Sequence, residues 1–284
     1  MSLLEALTLP FFQRAVIAGI LIAVMSGVLG VFVVQRRLAF LGDGLAHAAF
    51  GGMGIGAYVI VTSGLIGSSV ALLQHPLWIA LPFSLLAALV IAALRKRTRL
   101  SSDTAIGVSF AVSVALGVMF FSLIPPDVNL GVSVLDLLFG SILGVRRGDL
   151  LVISVVAALA VAALLAAWGR LSYATFDDEL ARSDGVRTGA LELALFLLAA
   201  VVIAVSASVV GIVLMAAYLV IPAAAARLLA PTLARMTLLS VALGVTSTVA
   251  GLALSFYLDV PSGATIVLTQ AALFVPAALF GHRR

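Results

Sequence analysis

Cysteine is absent from all 284 residues, which excludes a disulfide framework and any thiolate metal site. Lysine occurs once, as Lys96 in an Arg-Lys-Arg run, and there is no G-x-x-x-x-G-K-[ST] sequence. The chain therefore has no P-loop with which to hold ATP, and any nucleotide hydrolysis belongs to another polypeptide. H-E-x-x-H is missing too, and with it the signature of a helix-borne zinc peptidase. Charge is scarce: only 10% of residues are Asp, Glu, Lys or Arg, against roughly 25% in soluble domains. That leaves no stretch from which to build a soluble domain.

Apolar sequence fills the space instead. With 63% hydrophobic residues and a mean hydropathy of +1.28, the fold class is an all-α polytopic membrane protein, a single transmembrane domain over 1–284. At about 20 residues per crossing, about seven to ten spans fit. Apolar runs bounded by charge or turn signals lie at 11–34, 43–62, 77–94, 103–124, 149–168, 189–208, 211–229, 235–257 and 263–281. These predict nine transmembrane helices, or eight if the weaker second or seventh run does not cross. The piece at 132–144 is too short to cross and follows the Pro125-Pro126 break, so it reads as a re-entrant or half-length helix. The run at 11–34 is too long for the apolar region of a signal peptide and reads as a retained span.

The basic pI near 10.1 comes from arginines beside apolar runs. They read as orientation signals and lipid head-group contacts in the bilayer, with no nucleic-acid partner implied. With the N-terminus outside and nine crossings, Arg36, Arg37, Arg95, Lys96, Arg97, Arg99, Arg170, Arg182, Arg187, Arg227, Arg235, Arg283 and Arg284 fall inside, and the C-terminus is cytoplasmic. Only Arg14, Arg146 and Arg147 fall outside. This is the positive-inside pattern. It requires 132–144 to stay on the outer side, buried in protein or lining a cavity.

One stretch breaks the apolar rule early. In Leu41-Gly42-Asp43-Gly44-Leu45-Ala46-His47 an acid and an imidazole stand four residues apart, on one face of a helix. Ionisable groups in a membrane segment are expensive and usually face a cavity where they do work. One oxygen and one nitrogen ligand are too few to close a divalent metal site, so a second chain or further residues must complete it. Gly51, Gly52, Gly54 and Gly56 follow, with Gly52 and Gly56 in G-x-x-x-G spacing that serves close helix packing or a pathway wall.

A second polar stretch runs from Ser172 to Arg187. Thr175 and Asp178 have capping-box spacing, acids follow in the first turn, and Gly185 stands where a helix would stop. Phe176 and Leu180 share a face, so the stretch predicts a short amphipathic helix on the cytoplasmic side. Its acidic first turn disfavours anionic lipid and favours a protein partner. Among the remaining polar residues, Asp259 before Pro261 suits an N-cap or docking surface, and His75 and His282 read as solvated. Asp136 either lines a pathway or faces outer water, and Glu192, one turn into a helix, either snorkels to the interface or compensates the dipole. Pro222 is expected to kink its helix beneath Tyr218, in gating or in packing.

Residues 41–48, Ala174-Thr175-Phe176-Asp177 with Glu179-Leu180-Ala181, Leu219-Val220-Ile221-Pro222 through Arg227, and Asp259-Val260-Pro261-Ser262-Gly263-Ala264 together resemble the permease subunits of bacterial manganese, zinc and iron ABC importers. The resemblance spans almost the whole chain, with Gly44 departing where Ala or Ser is expected. It implies an inner-membrane permease with no catalytic site of its own and no permanently bound cofactor. Such a permease forms a homodimer, binds a cytoplasmic ATPase dimer that carries the ATP, and receives Mn2+, Zn2+ or Fe2+ from an extracytoplasmic binding protein. It also implies metal coordination at Asp43 and His47. ATPase coupling through 175–186 is assigned to Thr175, Phe176, Asp177, Glu179, Leu180, Ala181 and Gly185, and pathway or gate roles to Asp136, Tyr218, Pro222 and Asp259. The competing class is a proton- or ion-coupled secondary transporter in which Asp43, Glu192 or Asp259 titrates.

Overall fold

The computed structural model describes residues 8–64, 77–98, 101–125, 140 and 142–281. Among them are eleven α-helices and no strand. They are α1 (Pro10–Gln35), α2 (Leu41–Thr62), α3 (Leu77–Thr98), α4 (Ser102–Ser122), α5 (Arg147–Ala166), α6 (Trp168–Phe176), α7 (Asp178–Ser183), α8 (Thr188–Val210), α9 (Ile212–Leu229), α10 (Leu233–Leu258) and α11 (Ser262–Phe280), with a 3-10 turn at Ile142–Gly144. All but α6 and α7 are long and apolar enough to cross a membrane, nine among the described residues. Each matches one of the nine apolar runs to within four residues at either end. A helix satisfies its own backbone, which is what lets each run cross lipid alone. Pro10 opens α1, Ser101 accepts the Thr104 N–H at 3.2 Å to open α4, and Thr232 accepts that of Arg235 at 3.3 Å to open α10.

The bundle has a buried centre and an apolar rind. α1, α2 and α8 are buried over most of their length, while α3, α4, α5 and α11 turn most of their surface outward. That surface carries residues such as Leu159, Leu268 and Leu279, which suits hydrocarbon. α2 lies between α3 and α4, and glycines permit the approach. Gly52 and Gly56 face Ile79 and Ala80 of α3, whereas Gly51 and Gly54 face the backbone of Ser113 and Gly117 of α4. The G-x-x-x-G spacing is thus used for packing within one chain.

Among the glycines of the described helices, the tightest helix–helix approach is between α1 and α9. A Cβ on Gly30 would lie 2.1 Å from the backbone oxygen of Leu219, and backbone cannot swing aside as a side-chain tip can. Gly30→Ala is expected to lower stability by about 1–3 kcal/mol, the usual penalty for overpacking, read as an earlier thermal transition of the detergent-purified protein. An unchanged transition would mean that the two helices separate freely.

The helix ends sort the charges. Arg36 beyond α1 reaches Thr175 on α6, Arg95 at the end of α3 pairs with Glu192 at the start of α8, and Arg227 at the end of α9 donates to the Val34 carbonyl at 3.3 Å. These contacts gather Arg36, Arg37, Arg95, Lys96, Arg97, Arg170, Arg182, Arg187, Arg227 and Arg235 at one end of the bundle. Arg14 and Arg147 line a shared cleft at the other. Because α4 finishes and α5 begins at that second end, the connection between them makes no net crossing. Its described part, Gly140 and the 3-10 turn, stays there: Gly140 (φ +63) lies so close to the Val210–Gly211 backbone that a Cβ would stand 2.1 Å from the Val210 carbonyl carbon. Asp136 and most of the 132–144 piece lie outside the described residues.

Candidate functional site

Only five residues separate the end of α1 from the start of α2, at the basic end of the bundle. Asp43 is its third residue, in the first turn, where the helix dipole favours an acid. At 1.5 Å per residue His47 lies about 6 Å further along the axis, and both side chains are half-buried. The His47 Nδ1 lies 3.0 Å from the Asp43 backbone oxygen. A carbonyl can only accept, so in this contact Nδ1 carries the proton and donates it. The Nε2 lone pair of a neutral ring is thereby left available for a metal, the arrangement common to metal-ligating histidines. The ring is steadied edge-on against Phe110, with centroids 4.3 Å apart.

Asp43 and His47 share an open cleft of about 550 Å³ with Phe40, Gly44, Asp103, Ile106, Gly107 and Phe110. α2 and α4 run parallel here, and the helices touch because Gly44 has no side chain: a Cβ would lie 2.5 Å from Ile106 Cγ2. The expected Ala or Ser at position 44 would clash, so this departure from the family pattern has a packing reason. Asp103, in the first turn of α4, stands at the basic-end rim of the same cleft and is exposed. Sequence reasoning missed it, since a lone acid two residues past an N-cap looks like ordinary dipole compensation. Among the described residues no three His, Asp or Glu side chains are close enough to hold one ion. A single copy thus offers at most a partial ligand set.

The stretch expected as one helix over 175–186 is two. α6 ends at Phe176, Asp177 breaks the chain in extended conformation, and α7 covers only Asp178–Ser183. The capping box does not form as expected, because Thr175 is inside α6 and its hydroxyl donates to the Leu171 carbonyl at 2.6 Å. Asp177 is the cap, its Oδ1 accepting the Leu180 N–H at 2.9 Å. The stop at Gly185 is as expected: its φ of +83 lets the Gly185 and Val186 N–H groups close back on the Arg182 and Ala181 carbonyls. Asp178 is bound by Arg182 one turn on at 2.6 Å. Tyr173 donates to Asp184, and that bond, more than burial, pushes its phenol up to about 12.

The coupling candidates divide by direction. Phe176, Asp177, Glu179, Leu180 and Gly185 are exposed, with Phe176 at 67% and Leu180 at 50%. Ala181 is buried, and Thr175 turns inward to accept a hydrogen bond from Arg36 Nε at 3.0 Å. Burial lowers the pKa of that guanidinium, while Glu192 and Asp178 pull it the other way.

Of the pathway and gate candidates, Tyr218, Pro222 and Asp259 do not line the cleft. Tyr218 is buried with its hydroxyl 2.6 Å from that of Thr248, and Pro222 is buried one turn later in a helix that continues through it. Asp259 closes α10 in the left-handed region (φ 51) and does not cap α11, whose N-cap is Pro261. Glu192 is held by Arg95.

The model of the ABC 3 transport family matches residues 8–281. The chain belongs to that family. Among ABC 3 relatives, the manganese transport system membrane protein MntC of Halalkalibacterium halodurans is 33% identical over 280 residues, covering 99% of this chain and 90% of its own. The high-affinity zinc uptake system membrane protein ZnuB of Haemophilus influenzae is 30% identical, covering 95% and 97%. The solved complex of PsaBC from Streptococcus pneumoniae with Fab contains a chain of the same fold, with a TM-score of 0.79 and 30% identity over 96% of this chain and 93% of that one. The ABC 3 assignment thus rests on the whole length of the bundle and includes the α2–α4 cleft.

Proposed function

We propose that the chain is the membrane permease of an ABC importer for Mn2+, Zn2+ or Fe2+, a single transmembrane domain that acts as a homodimer in the inner membrane. Manganese and zinc relatives support the cargo class. The observation that carries the reading is the half-buried Asp43 and His47 pair in one cleft, with Nε2 available. Two copies meeting at this face supply two carboxylates and two imidazoles. Such a mixed oxygen and nitrogen set suits all three metals and offers no soft ligand for copper(I). Few ligands also serve release, which a transport site requires.

Energy comes from a cytoplasmic ATPase dimer docked on the exposed face of α6 and α7, and an extracytoplasmic binding protein delivers the ion. The basic end of the bundle is cytoplasmic by the positive-inside rule, which puts the N-terminus outside and the cleft near the inner exit. A proton-coupled carrier keeps only Asp43 of its three titrating candidates, because Glu192 is held by Arg95 and Asp259 is exposed at a helix end. Uptake by reconstituted vesicles that requires the ATPase and ATP supports the importer; uptake driven by a proton gradient alone overturns it. Growth of a deletion strain on limiting manganese, zinc or iron identifies the cargo.

Asp103 gives a graded test of the exit. A rim carboxylate raises the local cation concentration without completing the ligand set, so Asp103→Asn is expected to lower the initial uptake rate roughly tenfold. Metal affinity measured at equilibrium should stay close to that of the unmodified protein. Equal loss of both would make Asp103 a ligand, and no loss of either would remove it from the path.

A further inference from the structure

We propose that Arg36 is a positioning residue, linking the docking segment to the metal-binding turn of α2 so that movement of α6 and α7 shifts Asp43 and His47. The inference rests on the importer reading above. Its first support is the contact itself: Arg36 Nε donates to Thr175 Oγ1 at 3.0 Å, across 139 residues of sequence. The same hydroxyl donates to the Leu171 carbonyl at 2.6 Å. Thr175 thereby holds Arg36 to the body of α6, one residue before the exposed Phe176 and two before the break at Asp177.

The connection from Arg36 to Asp43 has little slack. Arg37 N–H closes on the Val34 carbonyl at 3.2 Å, Leu38 on Val33 at 2.9 Å, Leu41 on Leu38 at 2.8 Å and Gly44 on Phe40 at 3.0 Å. Leu38 is 1% exposed, plugged into the core. Arg37 adopts a left-handed φ of +58, at a helix end where glycine is the usual residue. The strap therefore tolerates a conformation that disfavours a side chain, as segments at switch points do. A force on Arg36 reaches Asp43 through bonded backbone instead of dissipating in a loose loop.

Arg36 is also incompletely satisfied. One terminal guanidinium nitrogen is buried without a partner, although buried polar groups are nearly always paired. The charged groups acting on it are Glu192, Asp178 and Arg95, but Glu192 is taken by Arg95 and Asp178 by Arg182. Asp178 stands on α7, just past the break at Asp177, so one of the charges acting on Arg36 belongs to the docking segment itself. The Thr175 contact thus leaves one buried donor of Arg36 uncommitted, whereas a static cap would have every donor paired.

The test uses the complete assembly of permease, ATPase and binding protein in proteoliposomes, with metal moved and ATP hydrolysed measured together. Thr175→Val keeps the shape of the side chain and removes the hydroxyl, while Thr175→Ser keeps the hydroxyl. The expected result is about a tenfold fall in metal moved per ATP for Thr175→Val, with Thr175→Ser within twofold of the unmodified protein. Arg36→Gln, read in the same way on the purified assembled complex, should match Thr175→Val, and the Arg36→Gln, Thr175→Val double variant should fall no further than either alone. A ratio unchanged in Thr175→Val, an equal fall in Thr175→Ser, or additive losses in the double variant would overturn the link. These outcomes leave the importer reading standing, whereas failure of the unmodified assembly to move metal on ATP would reject that reading itself.

Discussion

His47→Ala is expected to reduce metal uptake by about 100-fold while the protein stays in the membrane at its normal level, since losing one ligand in each of two copies halves a four-ligand set. Asp43→Ala should match it. The two are separable by isosteres: Asp43→Asn keeps the size and the first-turn position of the side chain, so a collapse of uptake there isolates the charge. The His47 ring makes a further demand. Its Nδ1 is engaged by the Asp43 backbone oxygen, so only Nε2 is offered, and His47→Asn, whose shorter amide cannot reach the same point, should be no better than Ala. Uptake of radiolabelled manganese, with zinc and iron as competitors, measures all four variants. Full uptake by Asp43→Ala or His47→Ala would remove the pair from the ion's path.

Phe176→Asp combined with Leu180→Asp is expected to weaken binding of the ATPase at least about 100-fold, because each is a large, exposed apolar side chain of the kind that anchors an interface at about 2 kcal/mol or more. Both project from the basic end, Phe176 as the last residue of α6 and Leu180 in α7. Placing a carboxylate on a desolvated anchor leaves it without its apolar contact and without water. Glu179→Gln, a charge at the rim of the same face, should change association far less and mainly through its rate. Co-purification of the ATPase with the permease reads the affinity directly. Retention of the ATPase by the double variant would move the docking surface elsewhere on the basic end.

How far the chain could be read in advance depended on how local each feature is. All nine apolar runs became helices, because a segment that must satisfy its own backbone in lipid has little choice. Asp43 and His47 were found by their four-residue spacing, and Gly185 by its position after an amphipathic turn. The cap went to Asp177 and not to Thr175 for a reason that spacing does not show: Thr175 had already spent its hydroxyl on Leu171 and Arg36. Of the two roles offered for Asp259 the N-cap is excluded, since Asp259 closes α10 and Pro261 is the N-cap of α11.

Sequence alone determined the membrane class, the positions of the nine apolar helices, the sorting of arginines between the two ends and the one-turn pairing of an acid with an imidazole. Each of these is settled within a stretch of some twenty residues by hydration and helical period. Tertiary packing alone decided that Asp103 shares the cleft of Asp43, that Glu192 belongs to Arg95, and that Arg36 reaches Thr175. Those neighbours are chosen by how closely helices approach, as where bare Gly44 admits Ile106, and close approach is a property of two surfaces at once.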